Sequence, residues 1–185
     1  MNQSEEGFIQ YNQEISKNIF GYEINLFYYF WYKVGLIFTN MKLAITSDHA
    51  GYYLKEGLIK HLLKERHTVK DFGTDSNESV DYPDFAHTLA KAIEGGEFDF
   101  GISICGSGNG INMTANKHQG IRSALCWNGE ISELARAHNN ANICALPGRF
   151  LSIEEAIVII EIFLKTTFDG GRHDRRIKKI PLKNI

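Results

Sequence analysis

Gly101-Ile-Ser-Ile-Cys-Gly-Ser-Gly-Asn-Gly110 runs from apolar residues to a cysteine and straight into a loop with three alternating glycines. The pattern predicts a buried strand over Phe100 to Cys105 that delivers one thiol to a turn with little side-chain cover. Gly106, Gly108 and Gly110 permit positive φ and close backbone approach. Backbone N–H groups in such a turn point at an anion, and a helix opening near Ile111 adds to that field. A thiol beside such a cradle suits a reaction that needs a base and a resting place for negative charge.

The same alternation extends outward from this stretch. Lys42 to Thr46 reads as a strand, followed by the turn SDHAG. A helix then runs to about Arg66, with Leu54, Leu58, Ile59, Leu62 and Leu63 on one face. Thr68 to Phe72 is a second strand, and Gly73 to Asp84 a polar loop. Pro83 falls near the first turn of the next helix, where its missing N–H costs least, and that helix ends at Gly95-Gly96. Beyond the glycine loop come a strand over Ile121 to Cys126, a helix over Gly129 to Ala137 and a strand over Asn142 to Leu146. The last long helix, Ser152 to Lys165, has Ser152 as N-cap and Glu155 in the capping-box position. Five strands alternating with helices through short connections predict an α/β fold, an open parallel sheet with helices on both faces. Ligands in such sheets bind beyond the carboxyl ends of the strands, where Asp48-His49 and Cys105 both fall.

Composition bounds the function. The chain has 185 residues, a net charge of -2 and 43% hydrophobic content, enough for one globular domain with a sizeable core. Charge this balanced argues against nucleic-acid or membrane partners. The three cysteines, Cys105, Cys126 and Cys144, are widely spaced with no CxxC pair; no metal site is expected, and they read as reduced thiols of a cytoplasmic protein. Cys126 and Cys144 fall inside strands and read as core. Residues 1–40 differ from the rest: INLFYYFWYKVGLIF, from Ile24 to Phe38, is crowded with aromatics, too short for a membrane span and interrupted by Lys33. They read as an N-terminal extension of unknown role before a domain that spans 41–185. A start assigned too far upstream and a membrane or partner anchor are the competing readings.

The glycine loop is not a nucleotide motif. It lacks a GK[ST] ending and the GxGxxG spacing, and the first strand is followed by SDHAG instead of glycines. Each candidate residue carries a structural reading beside the functional one. Cys105 is a small hydrophobe at a strand end or a base. Asp48 is a helix cap or, with His49, a sugar-hydroxyl contact. His138, followed by Asn139, is a helix-dipole partner or a proton carrier. The tail GGRHDRRIKK, with Arg172 and Arg176, is a solvated basic run or a phosphate clamp reached through the Gly170-Gly171 turn. Arg149, after the fifth strand, is a further anion-binding candidate. His61, His67, His87 and His118 read as surface residues.

Taken in order, SDHAG, DYPD, CGSGNG, TANKH, IRSALC, ARAHNNAN and GGRHDRR resemble the type B ribose-5-phosphate isomerases, a family that also includes the galactose-6-phosphate isomerase subunits. The resemblance spans about Met41 to Pro181. It implies a Rossmann-like three-layer α/β/α sandwich. It also implies interconversion of ribose 5-phosphate and ribulose 5-phosphate, a step of the pentose phosphate pathway, without metal or cofactor. Homodimers, or tetramers built from dimers, with active sites at the subunit interface are implied as well.

Carried over by motif, Cys105 is the base, His138 assists ring opening and Ser107 helps move protons between oxygens. The loop from Gly106 through Gly108 and Asn109 to Gly110 holds the enediolate. Asp48, His49 and Tyr82 match substrate contacts. Asn139, Arg149, Arg172 and Arg176 match contacts to the substrate or its phosphate, some of them across the dimer interface. Some family members use a glutamate just beyond the glycine loop. Ile111 stands near that position here, which indicates the cysteine branch. Isomerisation of a six-carbon sugar phosphate, a non-catalytic sugar-phosphate sensor and a thiol redox protein are the alternative functions.

Overall fold

The structure, a computed structural model, describes residues 40–182. The expectation for the N-terminal extension therefore lies, Asn40 apart, outside the described residues. The chain runs β1 (Lys42–Ser47), a 3-10 turn (His49–Gly51), α1 (Tyr52–Lys64), β2 (Thr68–Asp71), α2 (Tyr82–Glu94), β3 (Phe100–Cys105) and α3 (Asn109–Ala115). It continues with β4 (Ser123–Leu125), α4 (Gly129–Asn139), β5 (Ile143–Pro147), α5 (Ile153–Lys165) and α6 (Arg172–Ile177).

All five strands pair in parallel, in the order β2-β1-β3-β5-β4. Their side chains alternate between faces, as a strand's period of two requires. Leu43, Ile45, Ile102, Ile104, Cys144 and Leu146 pack with Leu58 and Leu62 of α1, Ala135 of α4 and Ile159 and Phe163 of α5. Ala44 and Ile143 face the other way, onto Leu89, Ala90 and Ile93 of α2 and Ala115 of α3. Cys105 and Ala145 join that second face, against Ala86 and Ile111. The result is the three-layer α/β/α sandwich, with the strand order reversing between β1 and β3.

Local chemistry sets the element ends. Ser152 and Glu155 form the full capping box of α5, and Pro83 sits in the first turn of α2, which ends at Gly95. Several boundaries differ from the sequence reading. Helix α1 stops at Lys64 because Arg66 turns to φ 68. The β4 strand keeps only Ser123–Leu125. Asn116 Nδ2 donates to the Ser123 carbonyl (2.8 Å) and Asn142 Oδ1 accepts from the Arg122 N–H (2.8 Å), so side chains occupy the backbone groups a longer ladder would use. The basic tail is not simply solvated: it folds into α6 after Gly170 and Gly171, both at positive φ.

Arg136 in α4 is a structural cation. Its guanidinium lies 4.5 Å from the Phe100 ring centroid and 5.6 Å from that of Phe163. It donates to Asn140 Oδ1 and the Ala141 carbonyl, both at 2.7 Å. Among the described residues no helix is long and apolar enough to cross a membrane.

Candidate active site

Asp48 follows β1 and Cys105 ends β3, so both stand at the carboxyl edge where the strand order reverses, the expected ligand crevice of an open α/β sheet. The Asp48 N–H donates to the Ile104 carbonyl (3.1 Å), locking the two strand ends together. Cys105 is 4% exposed, at the floor of this edge. Its carbonyl accepts from the Gly108 and Gly148 N–H groups (3.3 and 2.9 Å).

The glycine turn is shaped by what surrounds it. Gly108 has φ +73, and a Cβ there would lie 2.4 Å from Leu125 Cδ1 and 3.0 Å from the Leu146 carbonyl carbon. At Gly110 a Cβ would lie 2.6 Å from the Tyr82 ring, so Tyr82 stands directly on the turn's far side. Arg149 covers the near side: its N–H donates to the Gly106 carbonyl (3.1 Å), and its Nε is 3.2 Å from where a Gly106 Cβ would be. The Asn109 N–H donates to Ser107 Oγ (3.4 Å). The N–H groups of Gly106 and Ser107 have no acceptor among the described residues. Two backbone donors are thus left beside the thiol, the arrangement an oxyanion needs. Ser107 and Asn109 are both exposed, open to a ligand at this edge.

Asp48 serves as a cap here: its Oδ1 accepts from the Ala50 and Gly51 N–H groups at 2.9 and 3.1 Å. Among the described residues the second carboxylate oxygen has no hydrogen-bond partner. His49 is held through Nδ1 by Val80 of the polar loop, whose N–H lies at 3.2 Å. That fixes the ring and leaves Nε2 for another contact. Sequence reasoning missed the support beneath this loop. Lys55, fully buried on α1, pairs with Asp71 and with Glu56 (3.0 Å). Asp71 Oδ1 then accepts from the Gly73 N–H (2.9 Å), and the Gly73 carbonyl accepts from Ser47 N–H (2.7 Å) next to Asp48. A lysine at a helical apolar position facing an aspartate at a strand end is the only sequence signal for it.

The second half of the predicted set assembles elsewhere. Helix α4 leaves the carboxyl edge after β4 and runs back, so His138 and Asn139 at its end lie by the amino edge, where β5 begins. The His138 ring stacks on His173 of α6 at 4.3 Å and 7°. Its Nε2 is 3.9 Å from Asp169 Oδ2. The Asp169 N–H donates to the Ala137 carbonyl (3.0 Å), tying the tail to α4. Arg172 Nε donates to His173 Nε2 (3.3 Å). Partial desolvation, then the charges of His138, Arg172 and Arg176, hold the His173 imidazole below its usual pKa. His138, Asp169 and His173 bring ligand atoms within 4.8 Å of one another. Arg172 Nε already occupies one of these atoms, His173 Nε2.

The sequence matches the family model described as Ribose/Galactose Isomerase over residues 43–180. The chain belongs to the ribose/galactose isomerase family. Within that family it is 41% identical over 139 residues to ribose-5-phosphate isomerase B of Escherichia coli, covering 75% of this chain and 93% of that protein. Among solved structures, a ribose 5-phosphate isomerase of Thermotoga maritima aligns with a TM-score of 0.76 at 52% identity, over 76% of this chain and 97% of the other. Ribose-5-phosphate isomerase B of Mycoplasma genitalium, solved with bound ribulose-5-phosphate, aligns with a TM-score of 0.73 at 42% identity, over 75% and 93%. The family's match begins at Leu43, the second residue of β1, and ends past α6, so it spans both clusters of site residues.

Proposed function

We propose that the protein interconverts D-ribose 5-phosphate and D-ribulose 5-phosphate through an enediolate, with a complete site formed only between two copies of the chain. The observation that carries this reading is Cys105, placed at the switch point of the sheet beside two unpaired backbone donors.

In this route His138 of a second copy assists opening of the furanose ring. The Cys105 thiolate takes the proton from C2 of the open aldose, and the electron pair moves onto the carbonyl oxygen. The Gly106 and Ser107 N–H groups hold the enediolate charge. The Ser107 hydroxyl shuttles a proton between the two substrate oxygens, and Cys105 returns its proton to C1. Arg172 and Arg176, with Asn139, come from the second copy to bind the phosphate end. Arg149, lying over the glycine turn, supplies positive charge from the same copy as Cys105. Ile111 is fully buried beside Cys105, so no side chain at that position competes for the role of base. The route runs on protonic groups alone.

The test is a ribose 5-phosphate isomerisation assay in the presence of a chelator, on the full chain and on a chain beginning at Met41, with a six-carbon sugar phosphate in parallel. Turnover of the pentose by both chains is expected. Turnover of the hexose alone moves the assignment to a longer sugar phosphate, and turnover of neither contradicts it. Loss of activity only in the shorter chain assigns the extension a part in the site.

A further inference from the structure

On α2 and the turn between α3 and β4, away from both clusters above, His87 Nδ1 and His118 Nε2 face each other at 2.9 Å. Their ring centroids are 5.2 Å apart and the planes are tilted by 56°. The two nitrogens are thus within hydrogen-bond distance of each other, on an exposed and a half-buried side chain. His118 is held from behind: its Nδ1 lies 3.3 Å from Glu94 Oε2. Glu94 is fixed in turn, its Oε1 accepting the Gly120 N–H at 2.7 Å. That backbone bond also keeps the Glu94 carboxyl below the usual carboxylate range, so it is an anion near neutral pH.

We propose that His87 and His118 form a binding site for a late divalent transition-metal ion such as Zn2+, with Glu94 as the carboxylate that orients His118. Imidazole pairs suit such ions. A carboxylate on the far nitrogen fixes the tautomer of a ligating histidine and raises its basicity. With Nδ1–H of His118 directed at Glu94, its Nε2 carries the lone pair. His87 moves its N–H to the exposed Nε2 and ligates through Nδ1, so no net proton is released from the neutral pair. Metal–nitrogen bonds of about 2.0–2.1 Å in tetrahedral geometry need the nitrogens roughly 3.3 Å apart. The exposed His87 reaches that by shifting a few tenths of an ångström. Water fills the remaining positions.

The test is calorimetric titration of the full chain with Zn2+ at pH 7.5 in a non-chelating buffer. His173→Ala serves as background to remove competition from the tail cluster. One equivalent is expected in that background, and His87→Ala or His118→Ala should each remove it. Glu94→Gln should weaken it by about 10–100-fold. Mg2+, which prefers oxygen ligands, should give no saturable heat. Circular dichroism of each variant confirms folding. The same uptake in the His87→Ala/His118→Ala double variant, or no saturable uptake at all, overturns the proposal. Isomerisation is not used as a readout, so the result is independent of the catalytic assignment.

Discussion

Cys105 and His138 stand at opposite edges of one sheet. Cys105 is level with Pro147 at the carboxyl end of β5, whereas α4 delivers His138 to the other end, where Ile143 pairs with Gly101. Four residues separate these levels, about 13 Å along the strands at roughly 3.3 Å per residue. On the proposed route, in which His138 carries a proton and Cys105 is the base, that distance is too long for one small sugar to span within a chain, and a second copy is needed to bring one edge to the other.

Cys105→Ala should lower kcat for ribose 5-phosphate by about 10²–10⁴-fold, the usual contribution of a general base. Sugar-phosphate binding, followed calorimetrically, should persist because the glycine turn and the arginines remain. Near-normal turnover would remove Cys105 from the role of base.

His138→Asn should reduce turnover of the cyclic sugar more than that of an open-chain analogue. Equal losses would separate His138 from ring opening and leave it with a binding role beside His173.

Gly108→Ala should destabilise the fold by about 2 kcal/mol or more. A left-handed backbone costs a non-glycine residue roughly 1–2 kcal/mol, and the new methyl meets Leu125 Cδ1 at 2.4 Å and the Leu146 backbone at 3.0 Å. The urea midpoint measures this, and an unchanged midpoint contradicts the geometry of the turn.

His173 should titrate below the usual imidazole value of about 6.5 in an NMR pH series, because desolvation and the charges of His138, Arg172 and Arg176 disfavour its cation. The unfolded chain then binds the proton first. Its share of stability is fully present above the unfolded value and is lost as pH falls below it. His173→Gln should flatten that acid-side loss. A His173 midpoint above 6.5 would mean that Asp169 outweighs the arginines.

Much of this was legible in the residues because local chemistry dictated it. The apolar run into Cys105, the Ser152–Glu155 capping box and the Pro83 helix start each depend on neighbours within a few positions. What depended on distant partners was not legible. Nothing local to GGRHDRR announces that His173 will stack on His138, or that Asp169 will bond to Ala137. His87 and His118 read as separate surface residues because their 2.9 Å contact joins positions 31 residues apart. The strand order is likewise a property of the whole sheet.

Subunit complementation tests the two-copy site most directly. Cys105→Ala and His138→Asn chains, each inactive on cyclic ribose 5-phosphate, are unfolded together and refolded as a mixture. Random pairing makes half of the dimers mixed, and in each of these one site combines an intact Cys105 with an intact His138. About one quarter of the wild-type activity is therefore expected to return. A mixture no more active than its two components would contradict a site shared between chains.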